Sequence, residues 1–326
     1  MSKFLIIQTA FIGDVILATP IIEKIHQFYP DSEIDFLLRK GNEELLFEHP
    51  YIGTLHIWDK KGKKYKNLKE VIKKIKSCKY DYVINCQRYS STGLVTFLSR
   101  SKNKIGFSKN PFSLYFTKTI KHDFKKGKHE VSRNLDLIEH LTDNTFVKPK
   151  LYPSFKDKEK VRDLILEEYY CIAPASIWKT KQYPIDKWVE LIDLMQDKYV
   201  YLLGAKSDYK LCEKIKQGTK SKRIINMAGD FNLLQTAEIM KNATMNWVND
   251  SAPVHIASSV NANVTAVFCS TIPEFGFGPL SDNSKTIEVK QNLNCRPCGI
   301  HGKKICPEKH FNCAKLIDVN QLVFNK

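Results

Sequence analysis

Two patterns of apolar and polar positions alternate along the first half of the chain. Short apolar runs, such as FLII at residues 4–7, are typical of strands buried on both faces of a sheet. Such runs predict strands at 3–8, 33–38, 54–58, 81–86 and 104–107. Apolar residues at helical spacing predict helices at 15–28, 43–48, 68–78 and 92–99. This alternation indicates a parallel sheet whose ligands bind at the carboxyl ends of the strands.

The second half of the chain repeats the alternation. Strands are expected at 169–173, 199–203, 223–226, 244–248 and 264–268. Helices are expected at 186–197, 209–216, 233–241 and 253–259. A further helix at 129–141 is followed by a segment, 142–157, that contains Pro149 and Pro153. We therefore expect an α/β protein with two doubly wound, Rossmann-like domains, 1–155 and 156–326, and a cleft between domains is a common ligand site.

The net charge of the chain indicates which kinds of binding partner to expect. The formal net charge is +16, and residues 60–79 contain ten lysines and one glutamate. For each lysine alone a solvated helix face is the simplest interpretation, but together they would attract nucleic acid, acidic lipid or a phosphorylated glycan. Nucleic acid is disfavoured because we find no nucleic-acid motif, and Tyr65 is the one aromatic residue in the run.

The chain has no segment with the apolar length of a membrane span, and its mean hydropathy is −0.33. The first residues, MSKFLIIQTAFIGD, lack a small-residue cleavage site and lead into a strand and turn, so we do not interpret them as a signal peptide. The expected compartment is the cytoplasm.

Asp14 follows the first strand in QTAFIGDVILATP, where a nucleotide-binding turn usually carries several glycines. This turn has Gly13 alone, which argues against a dinucleotide pyrophosphate here. A carboxylate in the first turn of a helix commonly caps free amides. At the carboxyl end of the first strand, it could instead be a general base that acts on an alcohol.

In the second half, APASIWKTKQYP (173–184) carries Ser176, Lys179 and Lys181 in a loop after a strand. Such side chains can bind phosphate oxygens, although each lysine alone could be an ordinary surface residue.

The stretch WVNDSAPVHI (247–256) runs from a strand into a helix that begins near Pro253. The small residues Ser251 and Ala252 are expected to leave the amides of 251, 252 and 254 accessible to a phosphate. Asp250 could accept a hydrogen bond from a sugar hydroxyl. His255 is interpreted as structural support within the helix. The turn VFCSTIP (267–273) is expected to line the same rim.

Four cysteines lie near the end of the chain, at Cys295, Cys298, Cys306 and Cys313. The Cys-x2-Cys spacing and four thiolates would suit a structural zinc ion, with His301 and His310 as alternative ligands. A cysteine-rich loop packed without metal is the alternative, because the second pair is more widely spaced than in common zinc ribbons.

Five stretches occur together in order: IGDVILATPII, KQYP, AGDFNLLQTAEIM, NDSAPVHIASS and CRPCG with its two later cysteines. The ordered set resembles the ADP-heptose:lipopolysaccharide heptosyltransferases of glycosyltransferase family 9. The resemblance implies a GT-B architecture of two facing Rossmann-like domains with a central cleft. It implies an N-terminal domain for a lipopolysaccharide or lipid A core acceptor and a C-terminal domain for the nucleotide sugar.

The resemblance also implies residue roles. Asp14 matches the general base of an inverting transfer from ADP-heptose, with no metal or other cofactor required at the reacting centre. Lys181 matches the residue that contacts the donor phosphates, with Lys179 as the alternative, and Asp250 with Ser251 matches the donor-binding pair. Ala252 and Cys269-Ser270-Thr271 depart from the family's Gly and G-P-T, which leaves the sugar and nucleotide open. An acceptor at a membrane surface implies peripheral contact with the inner face of the inner membrane.

Two alternatives remain at this point. One is another sugar-nucleotide enzyme of the same fold, either a transferase with a different sugar or a non-hydrolysing epimerase. The other is a non-catalytic polyanion-binding protein that uses the basic surface. A nicotinamide dehydrogenase is disfavoured because neither half has a G-x-G-x-x-G turn.

Overall fold

The computed structural model describes residues 1–124 and 127–323, and it divides the chain into two compact units, Met1–Tyr152 and Pro153–Lys326. The division falls just before Ser154, whose hydroxyl accepts a hydrogen bond from the Asp157 amide and caps the first helix of the second unit. The expected boundary between 155 and 156 would lie within that helix. Each unit is an α/β layer structure and is described by itself.

The first unit is built on a sheet of six parallel strands. In chain order they are β1 (Lys3–Ile7), β2 (Glu33–Arg39), β3 (Leu55–Trp58), β4 (Tyr82–Asn85), β5 (Asn103–Phe107) and β6 (Lys118–Ile120). The α-helices are α1 (Ile12–Ile16), α2 (Thr19–Phe28), α3 (Lys64–Cys78), α4 (Ser90–Leu98) and α5 (Glu130–Leu135). The spatial order is β3-β2-β1-β4-β5-β6, which is the doubly wound order that places helices on both faces.

The second unit repeats this plan. Its strands are β7 (Tyr169–Ala173), β8 (Tyr199–Leu202), β9 (Ile224–Asn226), β10 (Met245–Asn249), β11 (Val264–Phe268) and β12 (Ser284–Glu288). Its α-helices are α6 (Phe155–Val161), α7 (Ile185–Met195), α8 (Tyr209–Gly218), α9 (Leu233–Asn242), α10 (Ala252–Ser259) and α11 (Asn312–Lys315). The sheet order is β12-β11-β10-β7-β8-β9, again with parallel pairs.

Central strands of both sheets are buried on both faces, as their continuous apolar sequences predict. The side chains of β1 from Phe4 to Ile7 are fully buried, and all five residues of β11 are buried. Helices cover these strands. For example, Trp188 of α7 packs in one cluster with Ile172 of β7 and Trp247 of β10.

Several expected elements differ from the structure. The single helix expected at 15–28 is two helices, because Pro20 lacks an amide hydrogen and lies in the first turn of α2. The segment expected as a helix at 43–48 forms a 3-10 turn at Glu43–Leu45, and the helix expected at 129–141 is regular only over Glu130–Leu135. Strands β6 and β12 and helices α6 and α11 were not expected. β6 (KTI) and β12 (SKTIE) are edge strands with exposed polar residues, so they lack an apolar run.

Within the described ranges, no helix combines the length and the apolarity needed to cross a bilayer.

Candidate active site

Each sheet has one point where the strand order reverses, and doubly wound folds bind ligands there, at the carboxyl ends of the strands. In the first unit this point lies between β1 and β4, where the Thr9 hydroxyl donates to Gln87 Oε1 at 2.7 Å. In the second it lies between β7 and β10, where Asn249 Nδ2 donates to the Pro174 carbonyl at 2.6 Å. Asp14 follows β1, Lys181 follows β7 and Asp250 follows β10, so the topology places all three at these edges.

Asp14 lies in the first turn of α1, and its Oδ2 accepts a hydrogen bond from the Phe11 amide at 3.0 Å. The capping role that the sequence suggested is therefore present. The residue as a whole is partly exposed although its carboxyl is largely surrounded by protein, so capping and a role as a base are compatible.

The surroundings of Asp14 favour its protonated form. Burial of the carboxyl, followed by the negative charge of Glu130, raises the pKa of Asp14 from 3.8 to about 6, against the opposing effect of the Phe11 amide and Arg39. Glu130 is itself buried in α5 and is held by Arg133 Nε at 2.6 Å and by His122 Nε2 at 3.2 Å. A carboxylate whose pKa lies near neutrality is suited to accept a proton from an alcohol in general-base catalysis.

Basic side chains surround the turn that holds Asp14. Lys60 Nζ donates to the Thr9 carbonyl at 2.7 Å, and the Arg39 guanidinium lies 4.7 Å from the centre of the Phe11 ring. Burial, with the positive charges of Arg39 and Lys64, lowers the pKa of Lys60 to about 8. Neither Lys60 nor Arg39 was expected from the sequence as a site residue. Both follow the carboxyl ends of predicted strands, and that position was the available signal.

In the second unit the loops after β7 and β10 are joined by Asn249. Its Oδ1 accepts from the Tyr183 amide at 2.9 Å, while its Nδ2 donates to Pro174, and its side chain is fully buried. Ser251 adds a hydrogen bond from its hydroxyl to the Ala175 carbonyl at 3.2 Å.

Lys181 and Asp250 meet at this edge. Lys181 Nζ lies 2.6 Å from Asp250 Oδ2, and the Thr271 hydroxyl donates to the same oxygen at 2.5 Å. All three side chains are buried or nearly so, with the Lys181 side chain 13% exposed. Lys179 is exposed on the same 3-10 turn (Lys179–Lys181). Of the two lysines named from the sequence, Lys181 is the one that contacts Asp250.

The other residues named for this region lie around the same edge. Ala252 is the first residue of α10 and Ser251 is its N-cap, while His255 is buried within that helix, 6.5 Å from the ring of Phe277. The Ser176 carbonyl accepts from Gln182 Nε2 at 2.7 Å. The expectation for the Val254 amide is wrong, because that amide donates to the Ser251 carbonyl at 3.1 Å and closes the first turn.

The four clustered cysteines line one cavity of about 380 Å³, together with His310 and Lys303. In the part of the chain that the structure describes, no three His, Cys, Asp or Glu side chains have the spacing of a formed metal centre. The zinc ion expected from the sequence therefore stays a prediction. The lysine-rich run forms α3 and the turn before it, with Leu68 and Ile75 buried and most of its lysines exposed.

Comparison with known proteins gives the family and the fold of the chain. The sequence model of glycosyltransferase family 9 (heptosyltransferase) matches residues 68–310. Lipopolysaccharide heptosyltransferase 3 of Escherichia coli K12 is 29% identical over 276 residues, which are 79% of this chain and 80% of that protein.

Two solved structures share the fold. A family 9 glycosyl transferase from Veillonella parvula has a TM-score of 0.80 at 21% identity, covering 88% of this chain and 85% of its own. An E. coli heptosyltransferase, WaaC, solved with ADP-2-deoxy-2-fluoro heptose, has a TM-score of 0.72 at 17% identity, covering 88% and 93%. The α/β fold expected from the sequence, of the GT-B class, is confirmed. The chain is a glycosyltransferase and belongs to glycosyltransferase family 9, the heptosyltransferase family.

Proposed function

We propose that the protein transfers a heptose from ADP-heptose to a hydroxyl of a lipopolysaccharide inner-core acceptor, with inversion at the anomeric carbon. The observation that carries the proposal is the Lys181–Asp250 pair at the reversal point of the second sheet. The relatives support these substrates: one is a lipopolysaccharide heptosyltransferase and another was solved with an ADP-heptose analogue.

The second unit is proposed to hold the donor. Lys181 donates to the diphosphate and stabilises the negative charge that grows as ADP leaves. The helix dipole at the start of α10, with Ser251 and Ala252, favours the same negative charge. Asp250 and Thr271 orient Lys181, and both can form hydrogen bonds with hydroxyl groups of the nucleotide sugar. His255 supports α10 from within the helix.

The first unit is proposed to bind the acceptor and supply the base. The acceptor hydroxyl gives its proton to Asp14 as its oxygen forms a bond to the anomeric carbon. The bond from that carbon to the β-phosphate oxygen of ADP breaks on the opposite face, so one displacement inverts the centre. Positive charge for the leaving group comes from Lys181, and the proposed step requires no metal at the reacting centre. Asp14 lies before the range that the family model matches, so its role rests on its position after β1 and its raised pKa.

The acceptor also suggests a location. Inner-core glycans carry anionic groups at a membrane surface, and the exposed lysines of α3 would be attracted to such a surface by about 1 kcal/mol each. We therefore propose action in the cytoplasm with peripheral contact to the inner face of the inner membrane. Cosedimentation with anionic vesicles that weakens as salt rises would support this contact. Binding that salt leaves unchanged would contradict it.

The function is tested by offering a panel of nucleotide sugars with a heptose-deficient lipopolysaccharide acceptor and reading product mass. Of the nucleotide sugars in the panel, only ADP-heptose should react. It should add one heptose to the acceptor and release an equal amount of ADP. Turnover of another nucleotide sugar would redirect the proposal to a different transfer, and conversion of the donor without acceptor would indicate an epimerase. Acceptor binding with no turnover of any donor would indicate a polyanion-binding protein.

A further inference from the structure

The turn that carries Thr271 is held from its main-chain side by the guanidinium of Arg296. Thr271 follows β11, and its hydroxyl donates to Asp250 Oδ2 at 2.5 Å. Arg296 Nη2 donates to the Thr271 carbonyl at 2.6 Å, and Arg296 Nε donates to the Cys269 carbonyl at 2.8 Å. One side chain, from a segment after β12, thus fixes the main chain of the turn whose hydroxyl contacts Asp250.

The same guanidinium contacts the ends of two neighbouring strands. Arg296 Nη2 lies 3.2 Å from the carbonyl of Phe268, the last residue of β11, and 2.6 Å from Oε2 of Glu288, the last residue of β12. The Arg296 side chain is 11% exposed. A planar guanidinium presents its N–H donors in a fixed fork, so it can serve several carbonyls and a carboxylate at once, whereas the ammonium of a lysine cannot. Arg296 therefore ties the Thr271 turn to the rigid edge of the sheet.

A second connection runs from the same segment to the loop that presents Lys181. The amide of the buried Thr180 donates to the Lys303 carbonyl at 3.1 Å, and Thr180 Oγ1 accepts from the Lys303 amide at 2.7 Å. The Ser270 hydroxyl donates to Thr180 Oγ1 at 2.9 Å. We call residues 296–303 the anchor segment, because it holds both the Thr271 turn and the Lys181 loop.

Both connections lead to the ammonium of Lys181. Lys181 Nζ lies 2.6 Å from Asp250 Oδ2, the oxygen that also accepts from Thr271. On its other side, a Cβ built on Gly302 of the anchor segment would lie 3.0 Å from Lys181 Cγ. Ordering a long, flexible side chain costs conformational entropy, so a protein that fixes this side chain beforehand binds the ligand more tightly.

We propose that Arg296 is a positioning residue for the donor diphosphate. Through the Thr271 turn it fixes the Asp250 carboxylate, and that carboxylate holds Lys181 where the diphosphate binds. The inference rests on the proposed function, since it takes Lys181 as the diphosphate ligand. Arg296 needs no contact with the donor for this role, because its Nε and Nη2 face oxygen atoms of the protein.

Two other roles for Arg296 make different predictions. A residue that only stabilises the second unit would lower the free energy of unfolding when substituted and leave ADP affinity unchanged. A cation that attracts ADP directly would contribute to affinity whether or not Lys181 is present. A positioning residue contributes to affinity only while Lys181 is there to be positioned, and a double-mutant cycle measures that dependence.

The test is ADP affinity by calorimetry in the wild type, Arg296→Lys, Lys181→Met and the double variant. Arg296→Lys keeps the charge and loses the fork, and it should weaken ADP binding by about fivefold or more, but by no more than Lys181→Met does. In the Lys181→Met background, the same change should alter affinity by about twofold or less. Lys304→Gln is the control, since it removes an exposed cation just after the anchor segment and should leave affinity unchanged.

Folding of each variant is checked by circular dichroism. If Arg296→Lys does not fold, Glu288→Gln takes its place in the cycle, because it weakens the hold on Arg296 from a partly exposed position. It should lower ADP affinity by at least about twofold in the wild type and leave it unchanged in Lys181→Met.

Three results would overturn the positioning role. The first is wild-type ADP affinity in the folded Arg296→Lys or Glu288→Gln variant. The second is an equal loss with and without Lys181, which would assign Arg296 to direct attraction of the nucleotide. The third is a wild type that does not bind ADP, which would overturn the proposed donor as well. ADP binding that depends on Lys181 but not on Arg296 would leave the proposed function standing and remove only the positioning role.

Discussion

Lys181 Nζ lies 2.6 Å from Asp250 Oδ2, and this pair joins the loop after β7 to the loop after β10. Under the proposed function, the ammonium of Lys181 would have two competing partners, the Asp250 carboxylate and the donor diphosphate. In the absence of donor, Asp250 and Thr271 keep Lys181 at the sheet edge, since an unpaired buried ammonium would be costly. If a diphosphate binds there as proposed, the positive charge is already in place and little rearrangement is needed.

Removing the charge of Lys181 should weaken nucleotide binding. Lys181→Met is expected to reduce ADP affinity by about 10- to 150-fold, the range for loss of a charge-assisted hydrogen bond. Lys179→Met is the matched control, because it removes a neighbouring, exposed lysine of the same turn. Calorimetry should show near-normal affinity for the control. Equal losses in the two variants would mean that nonspecific charge, and not the position of Lys181, attracts the nucleotide.

Thr271 should contribute to stability through its hydroxyl. Thr271→Val leaves Asp250 Oδ2 with one donor fewer in a buried site and should lower the free energy of unfolding by about 1–3 kcal/mol. Thr271→Ser keeps the hydroxyl and should recover most of that loss. Urea unfolding can be followed by tryptophan fluorescence, to which the buried Trp188 and Trp247 of this unit contribute together with Trp58 of the first unit. If the serine variant is as unstable as the valine variant, packing of the methyl group and not the hydrogen bond accounts for the effect.

Asp14→Asn should abolish most turnover and leave the fold intact. Loss of a general base typically lowers kcat by about 10²–10⁴-fold, and the asparagine oxygen can still accept from the Phe11 amide. Since folding raises the pKa of Asp14 from 3.8 to about 6, its ionisation costs stability as pH rises through that window, so the variant should melt no lower than wild type at neutral pH.

Asp208→Asn is the control for Asp14→Asn. Like Asp14, Asp208 accepts a hydrogen bond from the backbone amide three residues earlier, here that of Ala205 at 2.9 Å. The control should keep full turnover in the heptose-transfer assay. Near-normal turnover of Asp14→Asn would assign the base to another residue.

The pH dependence of kcat/KM should report the ionisation of Asp14. A base must be deprotonated, so activity should fall below a pH of about 6. Arg39→Gln removes a cation that lowers this pKa and should move the acid limb to higher pH, whereas Glu130→Gln removes an anion that raises it and should move the limb to lower pH. The comparison uses profiles of kcat/KM against pH for the wild type, Arg39→Gln and Glu130→Gln. Circular dichroism checks that each protein is folded. Shifts in the same direction would exclude Asp14 as the titrating group.

Asn249→Asp should be strongly destabilising although it changes one atom. The new carboxylate oxygen would face the Pro174 carbonyl in a fully buried position where Asn249 Nδ2 now donates. We expect a loss of about 3–5 kcal/mol in the free energy of unfolding, as for an unpaired buried charge. Asn283→Asp, at an exposed turn before β12, should change stability little. A small effect at Asn249, measured by urea unfolding at pH 8, would show that water or a proton reaches this site.

The hydrophobic pattern predicted the central strands well because a strand buried on both faces must be apolar throughout, as β1 and β11 are. Of the four edge strands, it predicted β3 and β9 and missed β6 and β12. β6 and β12 pair with the sheet on one side only, so they can contain polar residues such as those of KTI. Their sequences therefore lack the apolar run that would predict a strand. The break between α1 and α2 was visible as Pro20, but helical spacing of the apolar residues continued across it.

The sequence by itself determined the α/β class, the repeated doubly wound plan and the family, because apolar periodicity and ordered motifs are properties of the chain alone. It also placed Asp14, Lys181 and Asp250 after strands. Only the tertiary structure decided which side chains meet. Lys181 rather than Lys179 contacts Asp250, and Thr271 joins them. Burial, followed by the charge of Glu130, raises the pKa of Asp14. These relations depend on distances between segments that are far apart in sequence. Strand order and packing set those distances, and the local sequence pattern does not encode them.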